Sequence, residues 1–219
     1  MLPRRLFIFG LAALLLVAVL WNPAARAQGN ALYFPSTGHN LDDTYGFLSF
    51  WQAHDGAQVL GFPVTEAFAS GDHPVQYFER GRLEQLLDQP TGTLRVQTGN
   101  IGVEYTTLLY RTFLPVTPRM GDTSTQFFET TGHTLREPFF SFWQKNGGME
   151  LFGAPISEPL WDITAHGQRR VQYFERARLE IGSARVGTSG GVIVGDLGHE
   201  LALLQGENTA AVPNRGGQA

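Results

Sequence analysis

The chain repeats itself. FPSTGHNL at residues 34–41 returns as FETTGHTL at 128–135, and FLSFWQ at 47–52 returns as FFSFWQ at 139–144. LGFPVTE at 60–66 returns as FGAPISE at 152–158, VQYFERGRLE at 75–84 as VQYFERARLE at 171–180, and GNIGVE at 99–104 as GDLGHE at 195–200. The offset moves only from 94 to 92 to 96 residues, so the halves differ by short insertions, including Trp161–Arg170 in the second. A period near 95 is too long for a solenoid, whose units run roughly 20–50 residues. A copy of about 75–80 residues is instead the size of a small domain.

Both copies predict the same order of elements. Phe139, Phe142 and Trp143 follow Pro138 at i, i+3, i+4, the spacing of a short helix with proline at its start, and Phe47, Phe50 and Trp51 stand in the same places in the first copy. Asp55-Gly56 and Gly147-Gly148 supply the left-handed residue that ends such a helix. Tight Gly-x-Pro turns follow at Gly61–Pro63 and Gly153–Pro155. Strand-like stretches come next at Val75–Phe78, Gly81–Leu87 and Leu94–Thr98, with Asp88–Gly92 as a hairpin turn. A helix from Ile101 to about Arg111, and from Leu197 to about Leu204, closes each copy. The expected class is α+β: two tandem similar small domains, each a short antiparallel β-meander packed with one or two helices. The expected boundaries are 28–112 and 127–205, with a linker at 113–126 and a disordered tail at 206–219.

Residues 1–27 read as a signal peptide. Arg4 and Arg5 precede the apolar run Leu6–Trp21, and Ala25-Arg26-Ala27 forms an A-x-A site with cleavage expected after Ala27. The apolar run falls short of the roughly 20 residues that span a bilayer, so the mature chain is expected to be secreted, extracellular or wall-associated, with no membrane span. Removing 1–27 takes away Arg4, Arg5 and Arg26 and no acid, leaving 13 basic and 20 acidic groups, a net charge of −7. A phosphate-gripping surface needs the opposite sign, so no nucleic-acid partner is expected. The chain has no Cys, which excludes disulfides and thiolate metal sites.

Motifs that carry chemistry are thin. Ile163–Gly167 and Gly187–Gly191 imitate the histidine and serine segments of a chymotrypsin-like protease, but only 22 residues separate His166 from Ser189, too few to build two barrels. A G-x-S-x-G elbow needs a strand before Ser and a helix after it, whereas the repeat register puts 187–191 at a hairpin turn. The six His show no metal-ligand spacing. His39 and His133 each follow Thr-Gly where a helix is expected to begin, as packed or backbone-bonded groups or as a duplicated ligand contact. Glu66/Glu158, Glu79/Glu175 and Glu84/Glu180 could supply the carboxylate pair of a glycosidase. Duplication argues otherwise, since a folding requirement must be met in every copy and an active site need not be. Arg80, Arg82 and Glu84 are expected to alternate along one strand face and to form cross-strand ion pairs over a half-solvated sheet. The alternative is a polar strip that binds sugar hydroxyls, built from Tyr77, Arg80 and Arg82 and repeated as Tyr173, Arg176 and Arg178. Trp51 and Trp143 are expected in the core, and Trp161 in the inserted loop as a platform for a sugar ring.

LGFPVTE and FGAPISE resemble the LGFP repeat family of bacterial cell-surface proteins, in which a Gly-Gly, a short gap, an L-G-x-P turn and a nearby acid recur in tandem. YFERGRLE and YFERARLE match the aromatic-rich hairpin beside that turn, and the resemblance covers nearly all of residues 33–205. It implies attachment to the cell envelope, often beside a hydrolase or esterase domain. The expectation is therefore a secreted, non-catalytic protein that binds cell-wall or extracellular polysaccharide through tandem repeats, without a cofactor or metal. The alternatives are a peptidoglycan- or polysaccharide-acting hydrolase and a structural envelope adaptor. The oligomeric state is left open.

Overall fold

The computed structural model describes residues 31–117, 121, 123–182 and 191–219; the segment 1–27, expected to be a signal peptide, and residues 187–190 of the protease-like string lie outside the described residues. The first half opens with a hairpin of β1 (Leu32–Phe34) and β2 (His39–Leu41), followed by α1 (Phe47–Ala53) and α2 (Gly56–Val59). An antiparallel meander follows in sequence order, β3 (Phe68–Ser70), β4 (His73–Tyr77), β5 (Arg82–Asp88) and β6 (Thr93–Thr98), and α3 (Ile101–Leu108) closes the unit. The second half repeats this with β7 (Thr125–Phe128), β8 (His133–Arg136), α4 (Phe139–Lys145) and α5 (Gly148–Leu151). Its meander is β9 (Leu160–Thr164), β10 (Gly167–Tyr173), β11 (Arg178–Ile181) and β12 (Val192–Val194), closed by α6 (Leu197–Gln205). The α+β class and the repeated sheet-plus-helix unit are as the sequence predicts. Asp55 and Gly147, at φ 48° and 111°, are the left-handed residues that separate the two short helices of each half.

Three local expectations change. Thr-Gly-His lies in the turn between β1 and β2, and again between β7 and β8, so His39 and His133 open strands and do not lead into helices. Trp161–Arg170 is no loop: it forms most of the β9–β10 hairpin, with Trp161 opposite Arg170. Arg80 sits in the turn between β4 and β5 and is not a strand residue.

The halves interlock by exchanging their closing helices. The first-turn amides of a helix have no partner inside it. In α3 those of Gly102 and Val103 donate to Glu175 O of the other half, at 3.0 and 3.2 Å. In α6 His199 N donates to Glu79 O at 3.0 Å. Each helix therefore caps itself on the partner's YFER turn. The approach requires glycine, because a Cβ on Gly102 would overlap Phe174 O and one on Gly198 would overlap Phe78 O. The cores are shared in consequence. Phe34, Leu41, Phe78 and Leu83 are continuous with Phe139, Phe152, Phe174 and Leu179. A second cluster joins Val75, Tyr77, Ile101 and Tyr105 to Val171, Tyr173, Leu197 and Leu201.

The segments after the helices are exchanged too. The start of the expected linker lies along the second half, where Val116 N donates to Gly132 O at 2.9 Å and Phe113 stacks on Tyr173 at 5.6 Å. The expected disordered tail lies along the first half. Val212 N donates to Gly38 O at 2.9 Å, Asn40 Nδ2 donates to Pro213 O at 3.0 Å, Arg215 pairs with Glu66, and β13 (Gly217–Gln218) runs parallel to β1. Both segments are ordered by docking on the other half. Their sequences agree as well, Val116-x-x-Arg119-x-Gly121 against Val212-x-x-Arg215-x-Gly217, so the repeat extends through the tail. Interlocking predicts a single cooperative unfolding transition. Gly102→Ala and Gly198→Ala are each expected to cost about 2 kcal/mol or more and to lower that one transition in a thermal melt. Gly191→Ala, with open space around the added methyl, should leave the midpoint nearly unchanged. A two-step melt in which each glycine moves a different step would show independent modules.

Candidate functional site: a polar cleft on the first half

The most strictly repeated residues hold backbone. Trp51 Nε1 donates to Gly61 O and Trp143 Nε1 to Gly153 O, both at 2.9 Å. On the other side of each turn, Glu79 accepts from Phe62 N at 2.9 Å and Glu175 from Ala154 N at 2.8 Å. Gly61 and Gly153 have φ near 75°, and a Cβ on Gly61 would overlap the Glu79 carboxylate. The L-G-x-P turn is thus clamped between an indole and a glutamate, which explains why FW, LGFP and YFER recur together. Gln76 Nε2 bridges Asn40 O and Thr65 O, and Gln172 Nε2 bridges Thr134 O and Ser157 O. Glu66 and Glu158 accept from Asn40 N and Thr134 N at 2.9 and 2.8 Å. His39 and His133 are buried beside those two carboxylates, each with Nδ1 at 3.5 Å, and His39 Nε2 lies 3.3 Å from Thr209 O.

Behind each meander sits a buried guanidinium. Arg178, with no exposed surface, donates to Glu180 at 2.9 Å through Nε and to both oxygens of Glu200 at 2.7 and 2.8 Å. Arg82, 9% exposed, makes the same fork to Glu84 and Glu104. These are same-strand pairs two residues apart, completed by an acid on the closing helix, and not cross-strand pairs on a half-solvated face. Burial alone would drive a guanidinium toward neutrality; Glu104 and Glu84 outweigh it for Arg82, as Glu200 and Glu180 do for Arg178, and hold both well above the ordinary value. Burial pushes the Tyr77 and Tyr173 hydroxyls upward, so both stay neutral hydrogen-bonding groups.

Around this shared frame the halves part company. In the second half Tyr173 Oη donates to Asp162 at 2.7 Å and accepts from Arg111 at 3.1 Å, and Arg111 pairs bidentately with Asp162. The same neighbourhood receives Tyr105, whose ring stacks on Tyr173 at 6.2 Å. Phe68 opposes Val75 as Leu160 opposes Val171, so Ser70 stands where Asp162 stands. Glu207 N donates to Ala202 O as Arg111 N donates to Thr106 O, so Glu207 stands where Arg111 stands. That ion pair is replaced, and here a cleft of about 370 Å³ is lined by Ser70, His73, Tyr77, Arg82, Glu84, Asn100, Glu104, Gln205 and Glu207. Tyr77 Oη donates to Gln205 Oε1 at 2.5 Å and accepts from Arg82 at 2.8 Å. Glu84 Oε2 faces His73 Nε2 across 4.0 Å, too far for a hydrogen bond.

Of the residues predicted for ligand binding, Tyr77 and Arg82 line this cleft. Tyr173 and Arg178 occupy the equivalent place in the second half, where Arg111 and Asp162 bond the tyrosine. Arg80 and Arg176 donate to backbone carbonyls, Arg80 to Ala57 and Gln58 at 3.0 Å and Arg176 to Glu150 at 2.8 Å. His39 and His133 are not among the lining residues, and Trp161, 67% exposed, projects from β9. Ser70, His73, Asn100, Glu104, Gln205 and Glu207 were not singled out from sequence; the signal for Ser70 and Glu207 is that the halves differ there. Among the described residues no group of three or more His, Asp or Glu is placed to hold a metal ion. The chain matches no family model, no curated protein and no solved structure.

The buried ion groups make stability acid-sensitive. Asp162 and Glu200 are partly buried, which opposes their charge, but hydrogen bonds from Arg111 and Tyr173 to the first and from Arg178 to the second hold both carboxyls below their ordinary values. Because the folded values are depressed, the unfolded chain binds more protons in acid. Their contribution is full above the ordinary value of 4.5 for glutamate and is lost as pH falls through the depressed folded values. Thermal melts from neutral pH to acid should show this decline. Arg178→Met should cost about 3–5 kcal/mol by stranding Glu180 and should flatten the Glu200 part of the slope. Arg82→Met should cost less, since water in the cleft reaches its partners.

Proposed function

We propose that the protein is an exported, envelope-associated member of the LGFP-type module proteins that binds cell-wall or extracellular glycan without cleaving it, and that the cleft on the first half is its binding site. The observation that carries this reading is the cleft itself: a concavity at the small end of the roughly 300–1,000 Å³ range of ligand sites, bordered by hydroxyl, amide, imidazole and carboxylate groups. Sugars present alternating donors and acceptors, and this lining supplies both. The central groups are already fixed. Arg82 is forked between Glu84 and Glu104 and bonded to Tyr77, so little side-chain freedom is lost on binding. A leader-like segment at 1–27 and the LGFP turns support an envelope setting, and no helix among the described residues is long and apolar enough to cross a membrane.

Binding is favoured over hydrolysis by the way the acids are used. A glycosidase needs one carboxyl free to donate a proton. Glu84 and Glu104 are both tied to the same guanidinium, and of the lining acids only Glu207 stands outside that fork, so the cleft offers no second untied carboxylate to complete a glycosidase pair. Protein lacking residues 1–27 should co-sediment with purified wall sacculi or with another insoluble polysaccharide, and the supernatant should gain no reducing ends. Release of reducing sugar would convert the reading to a hydrolase. Failure to sediment with any wall polymer would overturn it in favour of an adaptor.

A further inference from the structure

The internal repeat shows what the cleft of the first half is missing. In the second half the corresponding space holds a guanidinium: Arg111 lies against the Tyr173 hydroxyl and is neutralised by Asp162. In the first half that cation is absent, because Glu207 stands in its place, and its counter-ion has become Ser70. The tyrosine remains, and so does the fork of Arg82 between Glu84 and Glu104. Three carboxylates, Glu84, Glu104 and Glu207, therefore face the cleft against the single guanidinium of Arg82. The surplus is two formal negative charges with His73 neutral. Glu84, 7% exposed, is a buried member of that set, and its Oε2 points toward His73 without reaching it.

A water-accessible concavity with a net negative lining attracts a cation, and the other half demonstrates that this frame accommodates one. The remaining lining groups, Ser70, Asn100 and Gln205, are neutral donors and acceptors suited to hydroxyls. From this juxtaposition we infer that the cleft selects a sugar carrying a free ammonium group, as in a de-N-acetylated amino sugar. The ammonium takes the place of the Arg111 guanidinium, between the Tyr77 hydroxyl and the Glu207 carboxylate, and the sugar hydroxyls meet Ser70, Asn100 and Gln205. This inference rests on the glycan-binding reading and adds the chemical class of the sugar.

Titration calorimetry of the protein lacking residues 1–27 separates the two. The probes are glucosamine tetrasaccharide, its fully N-acetylated counterpart, cellotetraose and tetralysine. The glucosamine tetramer should bind at least about tenfold more tightly than the acetylated or neutral tetramers, the scale of one charge-assisted hydrogen bond. The preference should shrink as salt rises. Glu207→Gln should reduce it several-fold while leaving the weak binding of neutral tetramers in place. The double substitution Ser70→Asp with Glu207→Arg installs the ion pair of the second half, and should abolish binding of every tetrasaccharide with a thermal midpoint no lower than that of the parent. Equal affinity for the three tetrasaccharides would overturn the ammonium assignment and leave glycan binding standing. Tetralysine binding as tightly as the glucosamine tetramer would overturn the sugar assignment. No binding of any tetrasaccharide would overturn both, and unaltered binding by the folded double variant would place the site elsewhere.

Discussion

Two backbone carbonyls, Glu79 O and Glu175 O, decide how this chain is put together. Each lies in the tight turn of a YFER string and accepts from the first turn of the opposite half's closing helix, Glu175 O from two amides and Glu79 O from one. A helix end buried without such partners would strand its donors at a cost of about 1–3 kcal/mol each. Neither half can therefore keep its closing helix in place without the other. Glycines at 102 and 198 let the helix backbone reach those carbonyls, and the reciprocity makes the contact twofold in character although one chain supplies both sides. The aromatic clusters then have no boundary to respect, and Phe78 and Phe174 belong to one core.

The closing helices also deliver the acids that make the buried arginines tolerable. Arg82 and Arg178 each have one carboxylate two residues along their own strand, and the second, Glu104 or Glu200, arrives on the helix 22 residues later. A guanidinium buried with one partner would keep uncompensated donors in a medium that penalises them heavily. Docking of the helix is thus coupled to neutralisation of the arginine, and the room for the fork exists because Gly99 and Gly195 carry no side chain against it. Tyrosine rings complete the cage, with Tyr77 at 5.2 Å from the Arg82 guanidinium and Tyr105 and Tyr173 at 5.9 Å from that of Arg178.

What could be read directly from the residues was whatever local physics determines and the repeat states twice. The i, i+3, i+4 aromatics gave α1 and α4, the Gly-x-Pro pair gave the turns, and Asp88–Gly92 gave the β5–β6 hairpin. The Thr-Gly-His hairpins escaped because strands of three or four residues are too short to show a period of two. Segments 113–117 and 206–219 escaped because Pro- and Gly-rich stretches carry no periodicity of their own; the opposite half orders them. Arg82 and Glu84 were correctly placed on one face, yet that face is buried, since the acid that completes the cluster comes from a helix whose docking site is in the other copy. The cleft was the least legible feature. Ser70 and His73 belong to the meander of the first half, while Gln205 and Glu207 come from the end of the second, and only the exchange brings them together.

The difference between the two clefts is also protected against gradual loss. Closing the first as the second is closed requires an acid at Ser70 and a base at Glu207 together, because each alone is unfavourable there. Ser70→Asp by itself adds a fourth carboxylate to Glu84, Glu104 and Glu207 around one guanidinium, raising like-charge repulsion in a partly desolvated space. Glu207→Arg by itself removes the carboxylate outside the fork and leaves the new guanidinium beside Arg82 to share the two acids that already hold it. In the second half the opposite holds: Asp162 or Arg111 lost singly leaves a half-buried charge unpaired and takes one of two partners from the Tyr173 hydroxyl. Each half sits in its own electrostatic minimum, separated from the other arrangement by unfavourable single steps. Duplication thus supplied one frame twice, with the tyrosine of one copy held by an ion pair and that of the other facing a polar cleft.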